Sequence, residues 1–203
     1  MESMKDEMDV LREVATIASG HGSKALSVMI NKRIKLNLPV VKLLDDRRLQ
    51  EEISPSDVVL TVRCRILSGI EGEILFVLDE KSAFNLVSMC YKDKDNIPAG
   101  LLTEVGLSAI KEISHVVIGS YVGALSMLLN LLVVPSIPML ISGPLSEVLR
   151  SILSLQEDRS IFMVQTIFEQ AEENIRGRMY LVLSKDGKET IKEACGKILE
   201  SLE

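Results

Sequence analysis

An internal repeat constrains the fold of this 203-residue chain more than any other feature of its sequence. When the sequence is shifted by 99 residues, LREVATIASGHGSKALSVMIN (11–31) lies over IKEISHVVIGSYVGALSMLLN (110–130). The identical pairs are Glu13/Glu112, Gly20/Gly119, Ala25/Ala124, Leu26/Leu125, Ser27/Ser126 and Asn31/Asn130. A shift of 105 aligns EGEILFVL (71–78) with RGRMYLVL (176–183), and this alignment ends with Cys90 over Cys195. Matching blocks in the same order predict a duplicated unit.

Hydrophobic periodicity predicts the same order of elements in both copies: helix, strand, short helix, two hairpin strands and helix. In the first copy these are helix 5–30, strand 34–43, a polar turn near 45–48, strands 58–66 and 73–78, and helix 80–90. After a link at 93–98, the second copy has helix 100–130, strand 132–141, helix 145–154, strands 160–170 and 175–184, and a helix from 186 onward.

Hairpins pair their strands antiparallel, so the predicted fold class is α+β. We expect a pseudo-twofold duplicated unit in which an antiparallel sheet packs with two long equivalent helices. A duplicated unit arranged around such an axis normally shares one core. Residues 1–203 are therefore predicted to form a single domain made of two repeats, about 5–92 and 99–203.

Composition and charge exclude several classes of function. The chain is 47% hydrophobic and carries a net charge of −6, with no dense basic stripe, which argues against nucleic acid as a partner. Its three cysteines are an odd number without CxxC spacing, and this pattern fits a reducing compartment. The charged start MESMKDEMD contains no signal peptide, and we expect a cytoplasmic protein.

The apolar run from Val116 to Pro144 is long enough to suggest a membrane span. Prolines and Gly143 interrupt its second half, and a buried helix followed by a buried strand explains it as well. At the corresponding positions of the first copy the sequence has Lys24, Lys32 and Arg33. Equivalent elements should have equivalent surroundings, so we expect a soluble protein without membrane insertion.

Each long predicted helix carries a polar set with the same spacing: Asp9-x3-Glu13-x2-Thr16 and Ser108-x3-Glu112-x2-His115. Residues three and four apart share one helix face, so each helix is expected to present one polar cluster. The alternative is that both glutamates are ordinary solvated residues, that Thr16 is a plain helix-face residue and that His115 is a hydrogen-bonded packing residue. No Cys, His and Asp spacing matches a metal site, and GHG at 20–22 is not a phosphate loop.

The two polar sets, the duplication and the recurring Gly-x4-Ala-Leu-Ser resemble the CheC family of chemotaxis phosphatases and its relatives CheX and FliY. The resemblance covers nearly the whole chain. It implies that a glutamate pairs with a lysine of the response regulator CheY, and that an asparagine three residues later orients water toward the aspartyl phosphate of CheY. It also implies that no cofactor is bound, because the regulator supplies the magnesium. Phosphoryl transfer needs mainly positioning and charge neutralisation, which suits so small a set of residues.

The sequence departs from the family pattern at both asparagine positions, which hold Thr16 and His115. Loss of a positioned catalytic group commonly costs about 10²–10⁴-fold in rate. A threonine hydroxyl reaches less far than an amide, so the first site is expected to be silent. Histidine accepts a hydrogen bond from water or acts as a base near neutral pH, so the second site is expected to keep weak activity. The candidate catalytic residues are Glu13, Thr16, Glu112 and His115.

Two interpretations of the helix within PLSEVLRSILSL (144–155) stay open, because Leu145, Val148, Leu149, Ile152 and Leu153 form an apolar stripe. The stripe either packs on the sheet or docks the receptor deamidase CheD, which the resemblance implies as a partner. The expected function is a chemotaxis signalling protein that binds CheY, with phosphatase (hydrolase) activity weak or lost. The alternative is a non-catalytic adapter for CheD or for the flagellar or archaellar switch.

Overall fold

A computed structural model describes residues 2–54, 57–90, 103–157 and 159–200, and the predicted link at 93–98 lies outside these ranges. The α+β class is confirmed: six helices pack on both faces of an antiparallel sheet within the described residues. In chain order the elements are α1 (Glu2–Ile30), β1 (Lys35–Leu36), β2 (Val40–Asp45), α2 (Asp46–Glu52), β3 (Val58–Ser68), β4 (Gly72–Leu78), α3 (Glu80–Cys90), α4 (Glu104–Leu129), β5 (Val134–Pro135), β6 (Met139–Pro144), α5 (Leu145–Leu153), β7 (Ser160–Gln170), β8 (Ile175–Leu183) and α6 (Lys185–Glu200).

The two hairpins, β3–β4 and β7–β8, meet at the centre of the sheet, where β4 pairs with β8. The outer strands cross between the halves of the chain: β1 and β2 pair with β7, whereas β5 and β6 pair with β3. Leu75 and Tyr180, which the shift of 105 makes equivalent, pair directly with each other. The duplication stays a prediction, but the sheet joins both halves through every pair of neighbouring strands except the two hairpins.

Two predicted details, the length of the outer strands and the turn after the first of them, are wrong. The predicted strands 34–43 and 132–141 are each two shorter strands, interrupted just before Pro39 and Pro138. Proline has no N–H to give to a strand ladder, which explains the break. The predicted polar turn near 45–48 is the start of α2, whose first turn is capped by a hydrogen bond from the Arg48 N–H to the Asp45 carboxylate.

The sheet has a different set of helices on each face. On one face α1, α3, α4 and α6 pack into the larger core, whose sheet residues include Val62, Ile74 and Phe76. On the other face α2 and α5 pack against strand residues such as Leu75 and Tyr180. Because the side chains of a strand alternate between faces, β4 contributes to both cores.

The apolar stripe of α5 packs on the sheet and forms most of the smaller core. Its five residues are all buried: Leu145, Val148, Leu149, Ile152 and Leu153. The second interpretation, docking of CheD through this stripe at 144–155, is therefore wrong as to the residues, because their side chains are covered by the protein's own sheet. The exposed side of α5 presents Glu147, Arg150 and Ser151 instead.

Helix α4 accounts for the apolar run that suggested a membrane span. It is long and apolar enough to cross a bilayer, by length and composition alone. Its buried residues, among them Ile113, Val117, Tyr121 and Leu125, lie in the larger core. The helix thus has the surroundings of a core helix, and the rest of the run contains β5 and β6.

Candidate functional site

Helices α1 and α4 lie side by side and run in opposite directions. The end of α1 lies near the end of β7, where Lys32 Nζ is 3.0 Å from a carboxylate oxygen of Glu172. The end of α4 lies near the end of β3, where Ser68 Oγ donates to the Leu132 carbonyl at 2.9 Å. Neighbouring strands from β3 to β7 alternate in direction, so β3 and β7 end at opposite ends of the sheet. The two helices therefore end at opposite ends as well.

Glycine has different roles at two positions of α1. A Cβ atom at Gly22 would lie 3.4 Å from the Val117 carbonyl oxygen of α4, so the small residue allows the helices to approach closely. A Cβ atom at Gly20 would contact nothing within 4 Å, and the same is true at Gly119 of α4. Gly22 thus lies at the contact between the two helices, whereas Gly20 is exposed.

The first polar set lies on the outer side of α1. The Glu13 side chain is exposed, and Thr16 is half-buried one turn later. The Thr16 hydroxyl donates a hydrogen bond to the Arg12 carbonyl at 2.8 Å, so its proton is used within the helix. Arg12 in turn pairs with Asp9, one turn earlier. Within the described residues, the Glu13 carboxylate has no hydrogen-bond or ion-pair partner.

The second polar set lies on the outer side of α4, with Glu112 and His115 both exposed. In the part of the chain that the structure describes, neither side chain takes part in a hydrogen bond or an ion pair. Between them in sequence, Ser114 points into the core, and its hydroxyl is buried without a hydrogen-bond partner there. Glu112 and His115 are thus both available to a partner molecule, whereas in the first set Glu13 is available and the Thr16 hydroxyl can only accept, because its proton is donated to the Arg12 carbonyl.

On each helix face the polar set is followed by one exposed aliphatic residue and one exposed glycine, which were not predicted to belong to the site. Ile17 and Val116 are exposed one turn beyond the glutamates, and Gly20 and Gly119 follow one turn later. Positions i, i+3, i+4 and i+7 share one helix face. The signal was present in the sequence, since all four positions recur with the same spacing in both halves. We refer to Glu13–Gly20 as the α1 face and to Glu112–Gly119 as the α4 face.

The two faces form separate sites. Gly22 contacts Val117, Thr16 is six residues before Gly22, and His115 is two residues before Val117. At about 1.5 Å per residue and with the helices running oppositely, Thr16 and His115 lie about 12 Å apart along the helix axes. By the same estimate the two glutamates are about 20 Å apart. The predicted catalytic residues are therefore brought together in pairs, Glu13 with Thr16 and Glu112 with His115, and not as a group of four.

Charge distinguishes the surroundings of the two faces. Beyond the α1 face the helix exposes His21 and Lys24, whereas beyond the α4 face it carries no charged residue up to its end at Leu129.

Among the described residues, no group of three or more His, Cys, Asp or Glu side chains is arranged to hold a metal ion. Each face thus offers one free carboxylate and one residue, a turn away, that is able to accept a hydrogen bond from water.

Known proteins resemble the chain over nearly its full length. It is 27% identical over 202 residues to the CheY-P phosphatase CheC of Bacillus subtilis, covering 96% of both chains. It is 22% identical over 120 residues to the flagellar motor switch phosphatase FliY of the same organism, covering 59% of this chain and 31% of FliY. The crystal structure of Thermotoga maritima FliY superposes with a TM-score of 0.77 at 22% identity, covering 95% of this chain and 96% of that one. No protein-family model matches the chain.

Proposed function

The chain belongs to the CheC/CheX/FliY family of chemotaxis proteins, and from this premise we propose that it binds a phosphorylated, CheY-like response regulator through the α4 face. The observation that carries the proposal is the pair of exposed side chains Glu112 and His115, neither engaged with the rest of the described chain. The relative that is similar over the full length is named for action on phosphorylated CheY, which supports the choice of substrate.

The proposed reaction uses only two side chains of the α4 face. Glu112 pairs with a lysine of the regulator and fixes the docking geometry, and His115 accepts a hydrogen bond from the attacking water. The water oxygen bonds to phosphorus as the bond to the aspartate oxygen breaks, releasing inorganic phosphate and a free carboxylate. Positioning and charge neutralisation dominate such a transfer. The magnesium ion belongs to the acidic pocket of the regulator, so we propose that this chain contributes no cofactor.

The rate is proposed to be low, because both amide positions of the family pattern hold other residues. Thr16 donates its hydroxyl proton to the Arg12 carbonyl, which leaves only oxygen lone pairs on a short, half-buried side chain. We therefore assign the α1 face to docking without turnover. His115 is exposed and is the better candidate for residual catalysis. A positioned general base or acid raises a reaction rate by about 10²–10⁴-fold, so the loss of the amides should lower the rate by a factor in this range.

An adapter function is the second candidate, and the missing amides are the observation that favours it. In this alternative the chain binds a regulator, the deamidase CheD or a switch component without hydrolysis. The name of the relative FliY, a flagellar motor switch phosphatase, supports a switch partner. A CheD site would require a surface other than the apolar stripe of α5, which is buried. Both candidates place the protein in the cytoplasm, where such regulators act, and the packing of α4 in the core supports this location.

The deciding experiment measures phosphate release from the phosphorylated CheY of the same genome, with and without the protein, alongside binding of the regulator. We expect Glu112→Ala to weaken binding about tenfold, equivalent to about 1.4 kcal/mol for one lost charged contact. We expect His115→Ala to leave binding nearly unchanged and to abolish any acceleration.

Glu147→Gln is the matched control, because Glu147 is an exposed glutamate of α5 on the opposite side of the sheet. Binding without acceleration would make the protein an adapter. Binding that is equally weakened by Glu112→Ala and Glu147→Gln would remove the α4 face as the docking site.

A further inference from the structure

Directly before the α4 face, the helix carries a cation that the proposed reaction does not use. Lys111 is the only lysine or arginine in α4, and its side chain is exposed. Ser108, Lys111, Glu112 and His115 stand at positions i, i+3, i+4 and i+7, which share one helix face. The Cβ atoms of Lys111 and His115, one turn apart, are separated by about 5–6 Å. A small anion seated between them is therefore within reach of both side chains.

The equivalent cation in the first half of the chain is already paired. Arg12 lies 99 residues before Lys111, and its guanidinium donates a hydrogen bond to the Asp9 carboxylate. Asp9 precedes Arg12 by three residues, a spacing that brings opposite charges together on a helix surface. An exposed basic residue is ordinary by itself, but the pairing of Arg12 shows what a carboxylate at this spacing does on the same kind of face.

Lys111 lacks such a partner because Ser108 stands where the first half has Asp9. A carboxylate three or four residues away would be needed to pair with Lys111 within the helix. Those four positions hold Leu107, Ser108, Ser114 and His115. Over the ranges 2–54, 57–90, 103–157 and 159–200, the Lys111 ammonium makes no hydrogen bond or ion pair with the rest of the protein. The cation is thus available to a partner molecule.

The exchange of Asp9 for Ser108 also changes the charge that a partner meets. Asp9 and Glu13 outnumber Arg12, so the first set carries a net charge of −1, whereas Lys111 balances Glu112 in the second. A phosphoryl group carries a charge of about −1.5 to −2 near pH 7. The first set repels such a group, and the second offers it a free ammonium.

We propose that Lys111 binds the phosphoryl oxygens of the regulator and makes the α4 face selective for the phosphorylated form. This inference rests on the proposed function, because it takes the α4 face as the docking site. Glu112 contacts a lysine of the regulator whether or not the regulator is phosphorylated, whereas Lys111 has a ligand only when the phosphoryl group is present. The α1 face, with Arg12 held by Asp9, docks without this selectivity.

In the reaction, the Lys111 ammonium donates hydrogen bonds to phosphoryl oxygens while His115 accepts one from the attacking water. The bond from the water oxygen to phosphorus forms as the bond from phosphorus to the aspartate oxygen breaks, and the electron pair of that bond stays on the carboxylate. The water contributes its oxygen and both its hydrogens to the dihydrogen phosphate that is released, so Lys111 transfers no proton. Its contribution is to neutralise charge on the transferred group.

The experiment measures the Kd of the full chain for the CheY of the same genome in magnesium, with and without beryllofluoride as a stable mimic of the phosphoryl group. We expect the wild type to bind the beryllofluoride form about tenfold more tightly. Lys111→Gln should weaken binding of that form about tenfold, as one lost hydrogen bond to a charged group does, and should change binding of the unmodified regulator less than about twofold. Lys111→Arg should keep the preference, because a guanidinium also binds phosphate.

Two substitutions at Ser108 test the comparison between the halves. Ser108→Asp introduces the carboxylate of the first set and should abolish the preference for the beryllofluoride form, whereas Ser108→Asn, without a charge, should keep it. Arg150→Gln is the matched control, because it removes one exposed positive charge from α5 on the opposite side of the sheet and should alter neither Kd. Circular dichroism verifies that each variant is folded.

Equal losses for both forms of the regulator in Lys111→Gln would place Lys111 on a protein contact and overturn the proposal. A preference that Lys111→Gln leaves intact overturns it as well. A wild type that binds both forms equally, with binding weakened by Glu112→Ala, contradicts only the role of Lys111. A wild type that binds neither form contradicts the proposed function together with this inference.

Discussion

Arg63 donates two hydrogen bonds to the Glu73 carboxylate across the β3–β4 hairpin, from Nη2 to Oε1 at 2.6 Å and from Nε to Oε2. Both side chains are mostly buried, 14% and 9% exposed, where the end of α5 meets the sheet. Ser151 of α5 accepts a further hydrogen bond from Arg63 at 3.4 Å. The ion pair thus links the hairpin to the helix that covers it.

Removing one partner of this ion pair should destabilise the protein strongly. Glu73→Ala leaves the Arg63 guanidinium buried without its carboxylate, and we expect the free energy of unfolding to fall by about 3 kcal/mol. Urea unfolding followed by circular dichroism measures the change. The control is Glu71→Ala, at an exposed turn position just before β4, which should change it by less than about 0.5 kcal/mol. The double variant Arg63→Met with Glu73→Met should recover most of the loss, because no charge remains buried. Equal losses at Glu71 and Glu73 would contradict this account.

The burial of the α5 stripe leads to a second stability prediction. Ile152→Ala removes methyl groups from the smaller core, where the side chain is 3% exposed, and should cost about 2–5 kcal/mol of unfolding free energy. Glu147→Gln on the exposed side of the same helix should cost less than about 0.5 kcal/mol. Chemical unfolding of both variants provides the measurement. If Ile152→Ala were as stable as the wild type and selectively lost a binding partner, the stripe would be a docking surface after all.

The order of the elements could be predicted from the sequence because most of them show a local periodicity of hydrophobic residues. Helix α3 was predicted with its exact ends, and both central hairpins within two residues. The repeated order of elements predicts a short helix at the position of α2, but its bounds could not be predicted, because DRRLQEE contains a single apolar residue, Leu49, and so has no period to detect. Its only local signal was the capping residue Asp45, which also suits a polar turn.

For the candidate site, helix spacing alone was sufficient to predict that Glu13 and Thr16 lie on one helix face and that Glu112 and His115 lie on another. What could not be predicted depends on tertiary packing. The opposite directions of α1 and α4 follow from the sheet order, and the hydrogen bond of Thr16 to Arg12 depends on its side-chain rotamer. The pairing of Arg63 with Glu73 depends on the register of β3 and β4. None of these relationships leaves a pattern in the sequence.

The cysteines should differ in reactivity with their burial. Burial raises the pKa of Cys64 in β3 to about 11, and the side chain is 1% exposed. Because the thiolate is the reactive form, Cys64 should not react with a thiol reagent at pH 8 in the folded protein. Burial also raises the pKa of Cys90 and Cys195, but both are only half-buried and should react first. Mass spectrometry after timed alkylation measures the order, and unfolded protein, in which all three should react alike, is the control. Early labelling of Cys64 would mean that β3 opens readily.

Restoring the amides should restore turnover if their loss is what weakens the site. We expect His115→Asn to raise phosphate release from a phosphorylated regulator by about 10²-fold or more over the wild type, because the amide orients the attacking water. Thr16→Asn should give a smaller gain, since that position is half-buried. The two faces lie about 12 Å apart by helix geometry, so the double variant should show the sum of the two rates.

Met127→Asn is the matched control, an exposed position of α4 about 18 Å beyond His115, and should change nothing. Glu112→Ala in the His115→Asn background should remove the gain, because docking precedes hydrolysis. If His115→Asn binds the regulator normally and gains no rate, the missing amide is not the cause of the low activity, and the protein acts as an adapter.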